Sequence, residues 1–473
     1  MFRILLISVL LISELIPNVF DGYTLYTAEP NFTTYLIDND LNVVNEWYAD
    51  CQPASMAYLQ PDSTLIYPCK QDPLIINPTA AGGGRIIHYD WDGTILWDWV
   101  CDWEYQLHHD IQPTIGGTIL AIAKEDIDGF MPDVILEIEP DGMYEANLVW
   151  IWKVSDHMGE LDNPHTFYEN ANYHLNDWNH FNAVSLNQFG EILLSSRNWC
   201  EIYVIEWGGD SDILYRWGNP QNYGRDGEQI LYAQHGVNEI PIGYPGEENI
   251  ILFNNNSRVG EGADTSEVIE FRPPDDYYIE DGEAWGPTEP VWTFRDNFYA
   301  PKQSGAFRLP NGNTFVTVAG GDMFEVTYDK EIVWEHTGSS NTFRAQKYSI
   351  NYLTSYGPYD MPSVVLQDVF DSAEPANGYD KYIVLHQDTL YTGGAGIYEG
   401  NVFIEGNGAI IDLQGGTGIW VYGDDIVPAN VDMEYFTLMN AEWYGVFFGG
   451  MATGNITNCN FINNGYGIQL YDF

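Results

Sequence analysis

Positive charge is what this chain has least of. Against 69 Asp and Glu it carries 17 Lys and Arg, a formal net charge of −52 at pH 7. A nucleic acid or an anionic membrane surface would be repelled, so both are excluded as partners. The simplest use of such acidity is a solvated, salt-tolerant surface. Each of the few basic residues then becomes informative. Cysteine is sparse too: Cys51, Cys69, Cys101, Cys200 and Cys459 are scattered without a CxxC pair. Neither a zinc ribbon nor a disulfide framework is implied, although one bridge suits an exported protein and Cys51 with Cys69 is the nearest pair. Long apolar runs are absent but for one. MFRILLISVLLISELIPNVF has one positive charge and then an apolar stretch of signal-peptide length, too short and interrupted to span a membrane. A signal peptide over residues 1–22 is therefore expected, with a secreted or periplasmic destination and no other bilayer-crossing segment.

At 473 residues two domains are expected. The 16 Trp, 33 Tyr and 22 Phe, with 46 Gly to turn the chain, predict an all-β protein. From Tyr23 onward a two-part unit repeats. Its first half is a hairpin with a tryptophan on the return strand, as in RIIHYDWDGTILW at Trp97 and MFEVTYDKEIVW at Trp334; Trp47, Trp150, Trp217 and Trp292 end the other copies. Its second half is a strand, a Gly, Asn or Asp turn and a β-rich strand, as in HDIQPTIGGTILAIAK and HFNAVSLNQFGEILLSSR. The sixth copy, near FRAQKYSINYL, is degenerate. Six four-strand units of roughly 50–65 residues predict a six-bladed β-propeller over residues 23–355. A β-sandwich would need no near-constant repeat. The tryptophans are most simply core.

The second half-unit supplies the innermost strand of each blade, which lines the axial channel. Aligned on their turns, the units begin that strand at Met56, His109, His180, His235, Gly305 and Arg344. Three successive blades thus put histidine at one level. The return strands end at Lys70, Lys124, Arg197 and Arg258, four of the scarce basic residues, as a funnel for an anion. One such histidine would most simply be structural, but packing does not ask for imidazole three times in register. Three histidines also suit zinc, yet lysine and arginine at the same rim would repel a dication, so neither metal nor cofactor is expected. His108 abuts His109 and can exchange roles with it. His88, His157, His165, His174, His336 and His386 show no register. The hairpin Asp177–Asn198 holds His180 and Arg197 together.

The runs LHHDIQ, DWNHFNAVSLNQFGEILLSSRN, RWGNP, QHGVNEI and ILFNNNSR resemble the bacterial arylsulfate sulfotransferase family over roughly residues 85 to 350. The resemblance implies an exported six-bladed propeller that moves a sulfuryl group from a phenolic sulfate ester to another phenol, without a nucleotide donor. It also implies a histidine that becomes transiently sulfated, assisted by two further histidines and an arginine. By position His235 resembles the nucleophile, His180 and His109 the supporting histidines, and Arg197 the arginine. His108, Lys124, Arg258 and Lys70 would contact substrate. Imidazole nitrogen is a competent nucleophile near neutral pH, and sulfuryl transfer, like phosphoryl transfer, rests on positioning and charge stabilisation.

After Tyr356 the character changes. Residues 356–379 are Pro- and Asp-rich and read as a linker or accessory strand. Residues 380–473 show short apolar strands with Asn and Gly corners, predicting a right-handed parallel β-helix that resembles the copper-periplasmic and pectate-lyase-like repeats. The chain stops after a repeat strand without a polar cap, so a longer protein is expected. Asn458, Asn463 and Asn464 read as a corner ladder, and no acid pair for carbohydrate chemistry can be placed. The reading set against a sulfotransferase is a non-catalytic extracellular binding or adhesion propeller with a carbohydrate-binding β-helix. A quinone-dependent dehydrogenase propeller is disfavoured because no calcium-ligand set lines the channel.

Overall fold

A computed structural model describes residues 19–471 apart from 77–80, 115, 209–211, 257–264, 338–340, 351, 354–362, 387–388, 425, 458 and 463. The signal segment expected over residues 1–22 thus falls almost wholly outside the described residues. Six four-stranded antiparallel sheets form the propeller. Blades one to five follow the chain from Tyr58 to His336, each with its innermost strand first. In blade three that order is Phe181–Leu186, Ile192–Ser196, Glu201–Ile205 and Ile213–Trp217. The two middle strands are buried along their whole length, because neighbouring blades cover both faces. Blade one's outermost strand, Ile95–Val100, alternates buried and exposed positions, as a half-solvated strand should.

The degenerate sixth copy has a topological cause. Its innermost strand, Ala345–Ser349, pairs with Gly22–Ala28, and Thr33–Ile37 and Val43–Tyr48 complete the sheet. Blade six is therefore stitched from both ends of the propeller, so no single stretch of sequence carries its full unit. Lys347 on this strand makes a buried ion pair of 2.7 Å with Glu325 of blade five. Of the repeated tryptophans, Trp47, Trp97, Trp217 and Trp292 are buried and Trp150 and Trp334 half-buried, and five of the six also join the blades. Trp47, Trp97, Trp217, Trp292 and Trp334 each donate the indole N–H to a carbonyl where the next blade's two outer strands meet. The acceptors are Asp90, Glu145, Pro287, Tyr328 and Asn39, at 2.7 to 2.9 Å. A buried indole needs such an acceptor, and here it sits in the adjacent blade.

The C-terminal region is a parallel β-solenoid of about 4 turns. One sheet stacks Gly396–Ile397, Ile419–Gly423, Tyr444–Gly450 and Tyr466–Tyr471. Of the two readings of 356–379, linker and accessory strand, the second holds from Ser363. Ser363–Val365 is a strand paired in parallel with Leu390–Thr392, and Leu366–Ser372 is an α-helix. Leu366 and Phe370, one helical turn apart, sink into the solenoid core. Of the expected asparagine ladder, Asn458 and Asn463 lie outside the described residues. Asn464 does bridge two turns, accepting from the Ala441 N–H at 2.8 Å and donating to the Leu438 carbonyl at 3.0 Å. Cys51 and Cys69 form a disulfide. No helix among the described residues is long and apolar enough to cross a membrane.

Candidate functional site

Blades two, three and four open their innermost strands on a distortion. The ladder register slips between Leu107 and Ile111, between Phe181 and Ala183, and between His235 and Asn238. Within the slips of blades two and four, and immediately before that of blade three, one residue takes the left-handed conformation: His109 (φ 53°), Gly236 (φ 65°) and His180 (φ 54°) respectively. For a residue with a Cβ this costs of order 1–3 kcal/mol and persists only where the surroundings dictate it. Such bulges re-aim side chains. Blade four uses glycine for a second reason, since a Cβ on Gly236 would stand 3.0 Å from the Gly305 Cα.

The re-aimed histidines meet. The rings of His109 and His180 lie 4.8 Å apart, and those of His108 and His109 5.1 Å apart. His235 is close enough to feel the charges of His180 and Arg197, and His109 those of His180 and His235. All four histidines are buried, at 8 % exposure or less. Arg197 closes the hairpin, its N–H donating to the His180 carbonyl at 3.0 Å. Its guanidinium donates to the Asn198 side chain at 3.3 Å and has no carboxylate partner among the described residues. By contrast Arg85, Arg216, Arg308 and Arg344 are each paired with a carboxylate.

Each imidazole has a different partner, and the partner sets its tautomer. His235 Nδ1 faces two acceptors, the Ala233 carbonyl at 2.9 Å and Asn255 Oδ1 at 2.8 Å. The Asn255 amide cannot present nitrogen instead, because its Nδ2 donates to the Ala300 and Gln303 carbonyls at 2.8 and 3.1 Å. His235 therefore carries its hydrogen on Nδ1 and a lone pair on Nε2. Burial, reinforced by His180 and Arg197 and resisted by the Asn255 hydrogen bond, pushes its pKa down to about 3, so the ring is neutral near pH 7.

His180 is paired with a carboxylate instead, Asp177 Oδ2 at 2.7 Å from Nδ1. The other oxygen of Asp177 takes the ammonium of Lys124. Burial pushes the Asp177 carboxyl up, but the His180 hydrogen bond and the charges of His180 and Lys124 hold it well below the usual carboxylate range. His108 Nε2 lies 3.2 Å from Asp133 Oδ1, and His108 Nδ1 lies 2.8 Å from His109 Nδ1. Asp133 also accepts from the Phe181 N–H and stands 3.9 Å from the Lys124 ammonium. With Nε2–H of His108 directed at Asp133, His109 must donate from Nδ1, which leaves its Nε2 as a lone pair. Burial, and then the neighbouring His180, His108 and His235, hold the His109 pKa well below its ordinary value. His108 is lowered too, chiefly by burial.

The rim of four basic residues does not form as expected. Counted from the strand starts Leu65, Ile119, Ile192 and Ile250, one position holds Lys70, Lys124, Arg197 and Asn255. Blade four thus has an amide where Arg258 was expected, and Arg258 itself lies outside the described residues. Lys70 is exposed, and Lys124 is 1 % exposed and committed to its two carboxylates. Of the residues at this position, Arg197 alone brings a guanidinium, and it has no carboxylate partner among the described residues. Sequence reasoning missed Asn255, Asp177 and Asp133. Register counting would have found Asn255, and Asp177 stands three residues before His180 in DWNHFN, ending the short 3-10 helix Leu175–Asp177.

The other residues aligned with the histidines do something else. Arg344 crosses to Asp110 at 2.5 Å, Tyr58 at 2.8 Å and the Met56 sulfur at 3.0 Å, and Tyr58 also donates to Asp110. Its side chain packs on Gly305, where a Cβ would meet the Arg344 Cδ at 2.7 Å. Beyond this belt lies a cavity of about 640 Å³ lined by Gln112, Ser185, Asn238, Glu239, Gln346 and Tyr348. None of His108, His109, His180 and His235 lines it.

The propeller, residues 23–356, matches the family model of the arylsulfotransferases (ASST). No curated protein matches the chain. Among solved structures, a protein of unknown function from Bacteroides caccae is similar at 11 % identity and a TM-score of 0.44, over 69 % of this chain and 98 % of that one. A functionally unknown protein from Desulfotomaculum acetoxidans DSM 771 is similar at 10 % identity and a TM-score of 0.40, over 69 % and 99 %.

Proposed function

The chain belongs to the arylsulfotransferase family, and we propose that it moves a sulfuryl group from an aryl sulfate ester to a phenolic acceptor through a sulfated His235, without a nucleotide donor. One observation carries the reading: a neutral imidazole with its lone pair on Nε2 stands beside an arginine that has no carboxylate partner among the described residues. In the first step Nε2 attacks sulfur, the bond from sulfur to the aryl oxygen breaks, and the electron pair leaves on that oxygen with a proton. Asn255 and the Ala233 carbonyl then hold the Nδ1–H of a sulfated, positively charged ring. In the second step an acceptor phenol loses its proton, its oxygen attacks sulfur, and the pair of the N–S bond returns to Nε2. Arg197 stabilises the charge on the sulfuryl oxygens throughout. A low-dielectric pocket makes that interaction stronger than it would be in water.

Neutral His109 can accept a hydrogen bond but has no proton on Nε2 to give. Export belongs to the same reading and is supported by the Cys51–Cys69 disulfide, which suits an oxidising compartment. The decisive experiment uses a chromogenic aryl sulfate with and without added phenol. Phenol-dependent release of the chromophore, with retention of one SO3 group on a His235 peptide when phenol is withheld, is the expected result. Release without any acceptor would mean a sulfatase. No release at all would return the chain to a binding or adhesion role.

A further inference from the structure

The proposed transfer leaves one requirement open: something must protonate the leaving phenolate and later take the proton of the acceptor. We infer that Asp177 is a positioning residue that fixes His180 as this proton carrier, an inference that rests on the sulfuryl-transfer reading above. His109 has spent its one hydrogen on His108, and His108 has both ring nitrogens engaged. Lys124 is held by Asp177 and Asp133. Tyr58 is tied to Asp110 and Arg344 in the belt. His235 is the nucleophile. His180 remains, with Nδ1 on Asp177 and no partner for Nε2 among the described residues.

Charge balance points the same way. Asp133 and Asp177 bring two negative charges into a buried cluster that holds one lysine. Lys124 faces both carboxylates and Asp177 turns its other oxygen to His180 Nδ1, so a proton delivered to that ring would be matched, as a buried charge must be. Arg197 is then the surplus cation that awaits the sulfate. After Nε2–H of His180 passes to the aryl oxygen, His180 is left with its Nδ1 hydrogen on Asp177 and a free pair on Nε2. That pair takes the acceptor's proton in the second step, which restores the starting state.

Asp177 is built to hold this orientation. Lys124 of blade two anchors its other oxygen, and the Asn198 amide, next to Arg197, donates to its backbone carbonyl at 2.5 Å. The proton carrier and the sulfate-holding arginine are thus tied to one frame. Without the carboxylate, His180 loses both the partner of its Nδ1 hydrogen and the charge that favours its cationic form.

The test is the dependence of rate on the leaving group. A phenolate that is a stable anion near neutral pH, such as nitrophenolate, needs no proton; unsubstituted phenolate does. In the wild-type protein the rate of His235 sulfation is expected to fall only shallowly as the leaving phenol becomes less acidic. In Asp177→Asn the fall should steepen. We expect a loss of roughly 10²-fold or more with phenyl sulfate and of less than about tenfold with nitrophenyl sulfate, in keeping with the usual size of acid catalysis. An equal loss with both esters would overturn the inference and leave Asp177 a structural residue. A steep dependence already present in the wild type would overturn it as well, whether or not the variant folds. A wild-type protein that sulfates no histidine would instead overturn the transfer reading itself.

Discussion

Blades three and four present the same element to the same place and give it opposite chemistry. Each brings a histidine to the distorted start of its innermost strand. In blade three Nδ1 meets a carboxylate, Asp177; in blade four it meets an amide, Asn255. A carboxylate favours the cationic ring and an amide oxygen does not. The histidine with the amide is held neutral, which suits a nucleophile, and the one with the carboxylate suits a proton carrier. Asp177 and Asn255 come from different parts of their blades, so the contrast is not a shifted alignment. The repeat supplied interchangeable frames, and single side chains behind the imidazoles divided the work between them.

Removing the nucleophile should have the largest effect on this contrast. His235→Gln is expected to lower transfer between phenols by roughly 10⁴-fold or more, as loss of a nucleophile does elsewhere. Steady-state rates with a chromogenic ester measure it, and near-wild-type activity would mean that sulfur bonds elsewhere. Arg197→Gln comes next. It removes the guanidinium but keeps a donor, and a loss of about 10²- to 10³-fold in kcat is expected, the scale of one preorganised donor to a developing oxyanion. Binding of sulfate ester should weaken as well, which competition by inorganic sulfate would register.

The most pointed way to break the comparison is to give blade four the partner of blade three. Asn255→Asp places a carboxylate on His235 Nδ1. The native ring titrates at about 3 because burial and nearby cations disfavour its charged form. A carboxylate within hydrogen-bond reach should raise that value by roughly one to three units. The sign is then fixed: the ring stays protonated, and loses its nucleophilic pair, up to a higher pH. The acidic limb of the profile of kcat/KM against pH should therefore move upward by a similar amount, with little change on the alkaline side. An unmoved acidic limb would mean that Asn255 does not govern the nucleophile.

The blades were legible because a propeller repeats locally: each hairpin, its tryptophan and the histidine register lie within one stretch of chain. What was illegible depends on distance along the sequence. Blade six draws Ala345–Ser349 and Gly22–Ala28 together from opposite ends of the propeller, so its unit looked worn when it was only divided. Residues 363–372 read as linker or accessory strand, and not as a helix, because their Pro- and Asp-rich surroundings hid the buried pair Leu366 and Phe370 that anchors them. At the site, three histidines and an arginine could be found by spacing. The groups that decide what they do could not. Asp133 reaches His108 from another strand of the same blade, and Lys124 reaches Asp177 across two blades. Such pairings follow from packing, which no periodicity records.

Three cations and an amide at one strand position allow a last, finer test. If position alone made a residue functional, Lys70 and Lys124 would matter alike. Lys124 is buried between two carboxylates, so Lys124→Met leaves Asp133 and Asp177 uncompensated. Loss of one partner from a buried ionic cluster costs roughly 3–5 kcal/mol, readable in chemical denaturation. Lys70 is exposed and belongs to no ion pair among the described residues. Lys70→Gln should change stability by no more than about 0.5 kcal/mol and leave transfer rates as they were. A clear loss of aryl sulfate binding in Lys70→Gln would restore the continuous basic rim that the sequence suggested. Retention of binding there, beside its loss in Arg197→Gln, would assign the anion to Arg197, which has no carboxylate partner among the described residues.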